Sequence, residues 1–324
     1  MQKYLILGGT GFIGSHLCQQ LLNDDEVEIY IISRNKPDQI FWLTQDPKFI
    51  KVQHLCCDLS NTSRLKQIIF EVKPDKLVFS TGENPSTVPK SNEVFIHNNI
   101  INAFGLLKIS LAYYKSLTEQ KKRQFKLLNI STYEIFTQCE KTGLLKILPK
   151  TIYSASKASS FHLFNAWHKT YGLPVLTAIC VNNYGENQGP DKLIPMTINN
   201  LINKNSIQLF KEGQCKRNWV YVVDTAIALV KLLKSPTIGG VYTIAANDYI
   251  SNKKLVTIIL QQYAEIKRES LKDLKRLIKI CSLDLHNAYS HNCGYDKIYQ
   301  ELNWQPETSL IQGLNKTINF YLNK

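Results

Sequence analysis

The stretch KYLILGGTGFIGSHL, residues 3–17, joins a short apolar run directly to a glycine-rich turn and then to a helical pattern. Its three glycines, Gly8, Gly11 and Gly14, are spaced three residues apart. They would respectively permit a tight turn, let the backbone approach a pyrophosphate, and bring the following helix close to the strand. With Phe12 and Ile13 between the last two glycines, this pattern predicts a βα turn that binds the phosphates of a nucleotide cofactor.

Apolar, β-branched runs alternate with helical patterns through the first half of the chain. The runs are YLIL (4–7), EIYIIS (28–33), FIKVQHLCCDL (49–59), KLVFSTG (76–82), FKLLNIST (125–132) and LPVLTAICV (173–181). This alternation predicts an α/β fold with a Rossmann-type, doubly wound parallel sheet. Because ligands bind at the carboxyl ends of the strands in such sheets, we expect site residues directly after these runs.

The regular alternation of strands and helices ends after Val181. There NNYGENQGPDKLIPMTINNLI (182–202) places glycine and proline in a loop before a helix. WVYVVDTAIALVKLL (219–233) and GGVYTIA (239–245) then predict a strand, a helix and a second strand that return to the large domain. We therefore predict a dinucleotide-binding domain over 1–181, joined by 218–245, and a smaller, mostly helical substrate-binding domain over 182–217 and 246–324.

The composition is that of a folded chain. Hydrophobic residues make up 44% of the 324 residues and charged residues 20%, which argues against disorder. The sequence has no uninterrupted run of about 18 apolar residues and no signal-peptide pattern, so we expect a cytoplasmic protein without a membrane partner. The eight cysteines form no C-x-x-C pair and are expected to be reduced thiols, neither disulfides nor metal ligands.

The formal net charge of +13 raises the question of nucleic-acid binding. The densest basic cluster, KRESLKDLKRLIK (267–279), is interrupted by Glu269, Asp273 and leucines at helical spacing. This pattern predicts an amphipathic surface helix with a solvated basic face. We therefore expect no nucleic-acid partner, and the basic balance suits an anionic small substrate.

Tyr153 and Lys157, in YSASK, are four residues apart and lie on one face of a predicted helix. An ammonium group beside a phenol stabilises the phenolate, so we expect Lys157 to lower the pKa of Tyr153 from about 10 and make it a base near neutral pH. Thr132 ends an apolar strand 21 residues earlier and can orient a substrate hydroxyl. With the glycine turn and Asn99, these residues resemble the tetrad pattern of the short-chain dehydrogenase/reductase superfamily.

Longer stretches narrow this resemblance. ISTYEIF, YSASKASSFHLFNAWHKTYGLP, NNYG, PDKLIP, RNWVYVVD and ELNWQPETSLIQGL closely resemble the nucleotide-sugar 4,6-dehydratases of the extended subfamily, also called the NAD-dependent epimerase/dehydratase family, the dTDP-glucose enzymes among them. The resemblance implies a nucleotide-diphosphate-sugar substrate and a homodimer that pairs the helices near 99–117 and 153–171. It also implies further contacts with the cofactor at Leu59 and Thr81, and with the substrate at Glu83, Asn182, Lys192, Leu193, Arg217 and Asn252.

The end of the second strand indicates the cofactor. An acidic residue there would bond the ribose 2′-hydroxyl of NAD and repel a 2′-phosphate, whereas this chain has Ser33 and Arg34, with Lys36 nearby. The dTDP-glucose enzymes carry an Asp at this place, so the chain resembles the NADP-using members here, and we expect NADP rather than NAD. Asp58 matches the family position that bonds the adenine amino group, and a helix N-cap is the alternative role.

The sequence departs from the family pattern at a residue that acts in the dehydration step. After oxidation at C4, dehydration needs a base for the C5 proton and an acid for the C6 hydroxyl, which the family supplies as Asp then Glu after the Thr. Here Glu134 keeps the base, but the acid position holds the phenol of Tyr133, a weaker proton donor with a pKa of about 10.

Two other departures concern the substrate. Ser290 and His291 stand where the family places an Arg before a Tyr for the pyrophosphate, and the segment between Glu134 and Tyr153 is short and basic, with Lys141, Lys146 and Lys150 among its residues. Three kinds of function therefore stay open. They are a nucleotide-sugar 4,6-dehydratase, a 4-epimerase, decarboxylase or 4-ketosugar reductase that needs no acid at position 133, and a non-catalytic NADP(H)-binding module.

Overall fold

The structure is a computed structural model that describes residues 1–34, 47–82, 91–138, 145–281 and 293–324. Several residues singled out from the sequence lie outside these ranges, namely Lys36, Glu83, Lys141, Ser290 and His291.

The strands of the described ranges belong to one large sheet and three small ones. In chain order they are β1 (Gln2–Leu7), β2 (Val27–Ser33), β3 (Val52–Cys56), β4 (Lys76–Phe79), β5 (Lys126–Thr132), β6 (Phe136–Gln138), β7 (Leu145–Ile147), β8 (Val175–Cys180), β9 (Asn182–Tyr184), β10 (Ile207–Phe210), β11 (Lys216–Tyr221), β12 (Val241–Ile244), β13 (Asp248–Ser251) and β14 (Ile278–Cys281). The large sheet has seven parallel strands in the order β12-β8-β5-β4-β1-β2-β3.

Helices cover both faces of the large sheet. In chain order they are α1 (Phe12–Leu21), α2 (Thr62–Val72), α3 (Asn92–Ile96), α4 (Asn102–Ser116), α5 (Glu119–Gln124), α6 (Ile152–Tyr171), α7 (Leu193–Ile202), α8 (Val222–Lys234), α9 (Asn252–Lys267), α10 (Leu271–Lys275), α11 (Asp296–Leu302) and α12 (Leu310–Leu322). A π-helical turn, His97–Ile101, joins α3 to α4, and short 3₁₀ turns occupy Pro47–Lys51, Tyr133–Ile135 and Lys211–Gly213.

Two apolar cores sandwich the large sheet. On one face, Leu17 of α1 and Leu229 of α8 pack on strand residues such as Ile31. On the other face, Leu106 of α4 and Phe164 of α6 pack against the opposite side of the strands, together with residues of α2. Strand side chains alternate between faces, and both faces are buried, as expected for a parallel sheet. The predicted doubly wound parallel sheet is confirmed.

A third core lies in the second half of the chain. There α7, α9 and α12 pack on a three-stranded sheet of order β13-β11-β9, with Ile198, Leu255 and Leu314 fully buried. Within 218–245, α8 and β12 join the large sheet and its helical layer, whereas the end of β11 lies in the small sheet. The division into two domains stays a prediction.

One helical run in the described ranges, Asn92–Ser116, is long and apolar enough to cross a membrane by length and composition alone. In this fold the run packs against one face of the large sheet. Its side chains Ala103, Leu106 and Leu107 are fully buried in the core between the helices and that face.

Candidate active site

A cleft of about 590 Å³ crosses the carboxyl ends of the strands of the large sheet. The strand order reverses between β1 and β4, and this switch point is where α/β sheets bind their ligands. Most residues that the sequence singled out line this cleft: Gly8, Gly11, Phe12, Ile13, Ser33, Arg34, Asp58, Leu59, Thr81, Thr132, Glu134, Tyr153, Lys157, Asn182, Lys192 and Leu193.

The glycine turn leaves no room for side chains between β1 and α1. Gly8 has φ +82°, in the left-handed region that favours glycine. A Cβ on Gly14 would lie 2.3 Å from the carbonyl oxygen of Gly8, and one on Gly11 would lie 3.2 Å from the same oxygen. The amino end of α1 therefore faces the cleft with its backbone N–H groups uncovered, which fits the pyrophosphate of a dinucleotide.

Helix α6 places Tyr153 and Lys157 in the cleft wall. Its first turn is held by a capping box in which the side chains of Thr151 and Ser154 each bond the other's backbone. Tyr153 follows in that first turn and packs edge-on against Phe95 at a ring distance of 5.9 Å. One helical turn later, Lys157 Nζ donates to the carbonyl oxygen of Ile130 at 3.3 Å. The predicted pair thus lies on one helix face beside the end of β5.

The pKa of Tyr153 in this pair differs from expectation. Burial, and then the charge of Glu134, raise the pKa of Tyr153 above its ordinary value, and a hydrogen bond with Thr132 lowers it only in part. Burial also lowers the pKa of Lys157 to about 8. The prediction that Lys157 lowers the pKa of Tyr153 is wrong for the protein alone, because desolvation disfavours both the phenolate and the ammonium.

Asn99 lies beside the pair but not in the cleft lining. It sits in the π-helical turn, and its Nδ2 donates a 2.8 Å hydrogen bond to Ser156 Oγ. A Cβ built on Gly82 would lie 2.7 Å from Asn99 Oδ1 and 3.3 Å from Lys157 Nζ. The segment that follows β4, the π-helical turn and α6 therefore come into close contact at Gly82. A π turn inside a helix is frequent at functional sites.

Thr132 ends β5, and Tyr133 and Glu134 form the 3₁₀ turn that follows. The Glu134 N–H donates to Thr132 Oγ1 at 3.3 Å, which helps hold the turn. Glu134 lines the main cleft, whereas Tyr133 lines only a smaller side pocket of about 30 Å³ that adjoins it. Among the described lining residues of the main cleft, Asp58 and Glu134 are the carboxylic acids.

The phenol of Tyr133 is turned away from the main cleft. Its hydroxyl oxygen is buried, and its side chain packs against the apolar cluster that includes Val181 and Val220, with Cys293 as a neighbour. Burial, and then the neighbouring Cys293 thiol, raise the pKa of Tyr133 above its ordinary value. A hydroxyl oxygen without accessible surface cannot touch a ligand, so this conformation does not present Tyr133 to a sugar.

The other end of the cleft is formed by β2 and β3. Ser33 and Arg34 line it at the end of β2, and Asp58 follows β3. Asp58 Oδ1 accepts hydrogen bonds from the N–H and the hydroxyl of Ser60, and these bonds lower the pKa of its carboxyl. The N-cap of α2 is Asn61, so the alternative that Asp58 caps that helix is wrong.

Two predicted substrate residues lie away from the main cleft. Arg217 lines the side pocket with Tyr133 and Glu134, and Asn252 lines neither pocket. The Asn252 N–H donates to the carbonyl oxygen of Cys215 at 2.9 Å, and its Oδ1 is buried. Gly14 also contacts no cleft space, because it packs on Gly8.

Further residues line the cleft that the sequence analysis did not name: Thr10, Ile32, Cys57, Ser80, Gly82, Asn98, Asn102, Ile130, Ser131, Cys180, Val181, Asn183, Gln188 and Trp219. Several of them, such as Ser80 and Cys180, end or directly follow predicted strands. Because ligands bind at the carboxyl ends of such strands, the sequence could have indicated these residues. No sequence pattern indicated Asn98 and Asn102, since the orientation of their side chains depends on the π-helical turn.

Comparisons with known proteins agree with this geometry. A family model described as GDP-mannose 4,6 dehydratase matches residues 5–317. A dTDP-glucose 4,6-dehydratase of Haemophilus influenzae is 31% identical over 341 residues, covering 99% of this chain and 98% of that protein. The crystal structure of a dTDP-glucose 4,6-dehydratase of Bacillus anthracis in complex with NAD is similar at a TM-score of 0.82 and 26% identity, covering 100% of this chain and 97% of that one. A UDP-glucuronic acid 4-epimerase of Bacillus cereus shares the fold at a TM-score of 0.81 and 21% identity, covering 99% of each chain. The resemblance seen in the sequence is confirmed.

Proposed function

Because the chain belongs to the GDP-mannose 4,6-dehydratase family, we propose that it oxidises C4 of a nucleotide-activated hexose and eliminates water across C5 and C6. It is an enzyme of the nicotinamide-dependent dehydratase and epimerase type. The observation that carries the proposal is the convergence of Thr132, Glu134, Tyr153 and Lys157 on one cleft at the end of β5.

In this proposal Tyr153 takes the proton of the C4 hydroxyl, and Thr132 orients that hydroxyl. When bound, an oxidised nicotinamide would accept the hydride from C4, return it to C6 once water has left so that the net change is the loss of one water, and supply a positive charge that favours ionisation of the phenol. Lys157, held by the Ile130 carbonyl, adds a second positive charge while it is protonated. Both positive charges oppose the effect of burial, which raises the pKa of Tyr153 in the protein alone.

Glu134 is the group that acts at C5. The 4-keto group acidifies the C5 proton, and the Glu134 carboxylate lines the cleft to remove it. Once protonated, Glu134 is also the carboxylic acid near this end of the cleft that can protonate the departing C6 hydroxyl. The buried oxygen of Tyr133 supports this assignment, because a proton donor must be within hydrogen-bond reach of the leaving group.

The cofactor is proposed to be NADP. The glycine turn at Gly8 and Gly11 lines the cleft and fits a dinucleotide pyrophosphate. Beyond it, Ser33 and Arg34 line the cleft at the end of β2, where a carboxylate would select NAD. A guanidinium group there supplies a positive charge and several donors for a 2′-phosphate.

The substrate is proposed to be a nucleotide-diphosphate sugar. Lys192 lines the cleft at the start of α7, where its Nζ also lies 3.0 Å from Asp191 Oδ2, and Arg217 lines the adjoining side pocket together with Glu134. Such cations suit a pyrophosphate. The enzyme is also proposed to be cytoplasmic, which agrees with the free thiols of the cysteines in the described ranges.

The helix pair α4 and α6 is proposed to form a homodimer interface. Ile101 is 52% exposed and Phe104 is 43% exposed on this surface. The Phe104 ring packs on Trp167 of α6 at 5.7 Å, which makes the two helices one continuous apolar face. Large exposed apolar side chains on adjacent helices are typical of subunit contacts.

A 4-epimerase is the second candidate function. It is favoured by the burial of the Tyr133 oxygen, because epimerisation needs the pair of Tyr153 and Lys157 but no acid at C6. The two functions are separated by incubating the protein with NADP or NAD and a panel of dTDP-, UDP-, GDP- and CDP-hexoses, followed by mass spectrometry. A product lighter by one water supports the dehydratase. A product of unchanged mass and inverted C4 supports the epimerase, and no product from any sugar contradicts both.

A further inference from the structure

The side pocket of about 30 Å³ lies where the 3₁₀ turn after β5 meets β9 and β11. It is continuous with the main cleft, since Thr132, Glu134 and Asn182 line both spaces. A polar cavity needs about 10–15 Å³ to hold one water molecule. The side pocket is therefore too small for a sugar ring but large enough for one or two waters.

Hydrogen-bonding side chains line the side pocket. Asn182 Nδ2 donates to the carbonyl oxygen of Asn218 at 3.4 Å, and the same amide has a second N–H and a carbonyl oxygen. Glu134 lines the pocket with a carboxylate, which accepts hydrogen bonds, and Arg217 adds positive charge to its wall. A water in this space has an acceptor for its protons and a donor for its oxygen, which is what a bound water requires.

The proposed elimination forms a water molecule beside this pocket. The C5–H bond breaks, its proton goes to the Glu134 carboxylate, and its electron pair forms the C5=C6 double bond. The C6–O bond breaks with its electron pair on oxygen, and the leaving hydroxyl takes the proton back from Glu134 and becomes water. Because such a proton transfer needs the two oxygens within about 3 Å, the water forms at hydrogen-bond distance from a side chain that lines the pocket.

We propose that the side pocket receives the water eliminated from C6. The C5=C6 double bond is conjugated with the 4-keto group, so a water that stays against C6 adds back to it and reverses the elimination. A polar space beside Glu134 draws the water away from C6 before the hydride returns there. The inference rests on the proposed dehydratase activity and gives the side pocket a ligand of its own.

Val181 allows the side pocket to be filled or enlarged without removing a polar group. Its side chain lines the pocket and is 7% exposed. Val181→Ile adds one methylene group to the wall, and Val181→Ala removes two methyl groups from it. Val220→Ile is the matched control, because Val220 belongs to the same apolar cluster but lines neither the cleft nor the side pocket.

Single-turnover absorbance of the cofactor separates the two steps. The reduced form appears when C4 is oxidised and disappears when the hydride returns to C6 after water has left. We expect Val181→Ile to slow the disappearance about tenfold, the order of one hydrogen bond to a charged group, and to leave the appearance unchanged. Val181→Ala and Val220→Ile should show no slower disappearance than the wild type.

Three kinetic outcomes would overturn the inference. An unchanged disappearance in Val181→Ile means that the pocket is not used. Equal slowing of both steps means that the pocket holds part of the sugar. Slowing in Val181→Ala as in Val181→Ile means that any disturbance of Val181 has the same effect, whether the pocket is filled or enlarged.

A crystal structure of the wild type that shows ordered water gives a second measurement, independent of any variant. We expect a water in the side pocket within hydrogen-bond distance of Asn182 or Glu134, and a pocket without it would overturn the inference. The dehydratase proposal fails separately. If the wild type gives no product lighter by one water, that proposal is wrong and the inference falls with it. If it gives this product and Val181→Ile eliminates water as fast, the dehydratase stands and the role of the pocket is wrong.

Discussion

The side-chain nitrogen of Asn99 donates a 2.8 Å hydrogen bond to Ser156 Oγ from the middle of a π-helical turn. Ser156 Oγ in turn donates to the carbonyl oxygen of Tyr153 at 2.7 Å. Asn99 thus links the π-helical turn to the backbone of Tyr153, the proposed base. A change that displaces Asn99 should therefore shift α6 and impair proton transfer by Tyr153.

Gly82 gives the first prediction. A Cβ there would lie 2.7 Å from Asn99 Oδ1 and 3.3 Å from Lys157 Nζ, so Gly82→Ala must displace both groups. We expect kcat for C4 oxidation to fall about 10- to 100-fold, since small displacements of catalytic groups have effects of this size. Gly105→Ala in α4 is the matched control, because its Cβ would meet only Thr62 Cγ2, at 3.1 Å. A Gly82→Ala variant with wild-type kcat would contradict the proposal that the close approach of Gly82 to Asn99 and Lys157 positions the catalytic groups.

Tyr133 and Glu134 give the second prediction. Glu134→Gln should slow water elimination by about 10²- to 10⁴-fold, the usual contribution of a general acid or base, while C4 oxidation, measured by cofactor absorbance, continues. Tyr133→Phe should retain the elimination rate, because its hydroxyl oxygen is buried away from the cleft. Loss of elimination in Tyr133→Phe, with C4 oxidation intact, would make Tyr133 the proton donor and refute its assignment as a packing residue.

The glycine turn gives the third prediction. Gly14→Ala should lower the free energy of unfolding by about 1–3 kcal/mol or more, because its Cβ would meet the Gly8 carbonyl oxygen at 2.3 Å. Gly11→Ala should cost less stability than Gly14→Ala, since its one close contact would be longer, at 3.2 Å, yet it should weaken NADP binding by placing a methyl group toward the pyrophosphate. Urea unfolding and calorimetry measure the two effects. Equal stability of the two variants would contradict the packing argument.

Lys126 gives the fourth prediction, on pH and stability. It is buried, its Nζ donates to the carbonyl oxygen of Ser235 at the end of α8, and burial, followed by the charge of Lys76, lowers its pKa to about 8. The unfolded chain has an ordinary lysine pKa of about 10.4, so between these two values the unfolded state binds more protons. This group therefore makes the native state more stable as pH rises from about 8 toward 10.

The measurement is urea unfolding of the wild type and Lys126→Met at several pH values. The stability difference in favour of the wild type should grow with pH across that window. Lys169→Met, an exposed lysine of α6, is the control and should show no such trend. A difference that is constant or shrinks with pH would contradict the lowered pKa.

The exposed face of α4 and α6 gives the fifth prediction. Phe104→Asp places a charge in the middle of the apolar face shared with Trp167 and should convert a dimer into a monomer in sedimentation equilibrium. Ile238→Asp is the control, because Ile238 is also exposed, at 57%, but lies elsewhere. A wild-type protein that is monomeric at micromolar concentration would refute the proposed interface.

The parallel sheet and much of the cleft could be predicted from local patterns. The glycine spacing in 8–14 requires a βα turn, since only glycine accommodates the contacts between Gly8 and Gly14. The spacing of Tyr153 and Lys157 places them on one helix face whatever surrounds them. Polar residues after apolar runs, such as Ser33 and Thr132, meet at one edge because parallel strands end on the same side.

What only the tertiary structure decided concerns burial and contacts between distant segments. The sequence by itself established a dinucleotide-type sheet, the Tyr153 and Lys157 pair and a carboxylate at Glu134, because periodicity and glycine sterics act over a few residues. It could not establish that burial raises the pKa of Tyr153, that the Tyr133 hydroxyl faces Cys293, or that Asn182 and Arg217 line one side pocket with Glu134. Desolvation and cross-strand contacts depend on which segments pack together, and that is settled only when the chain has folded.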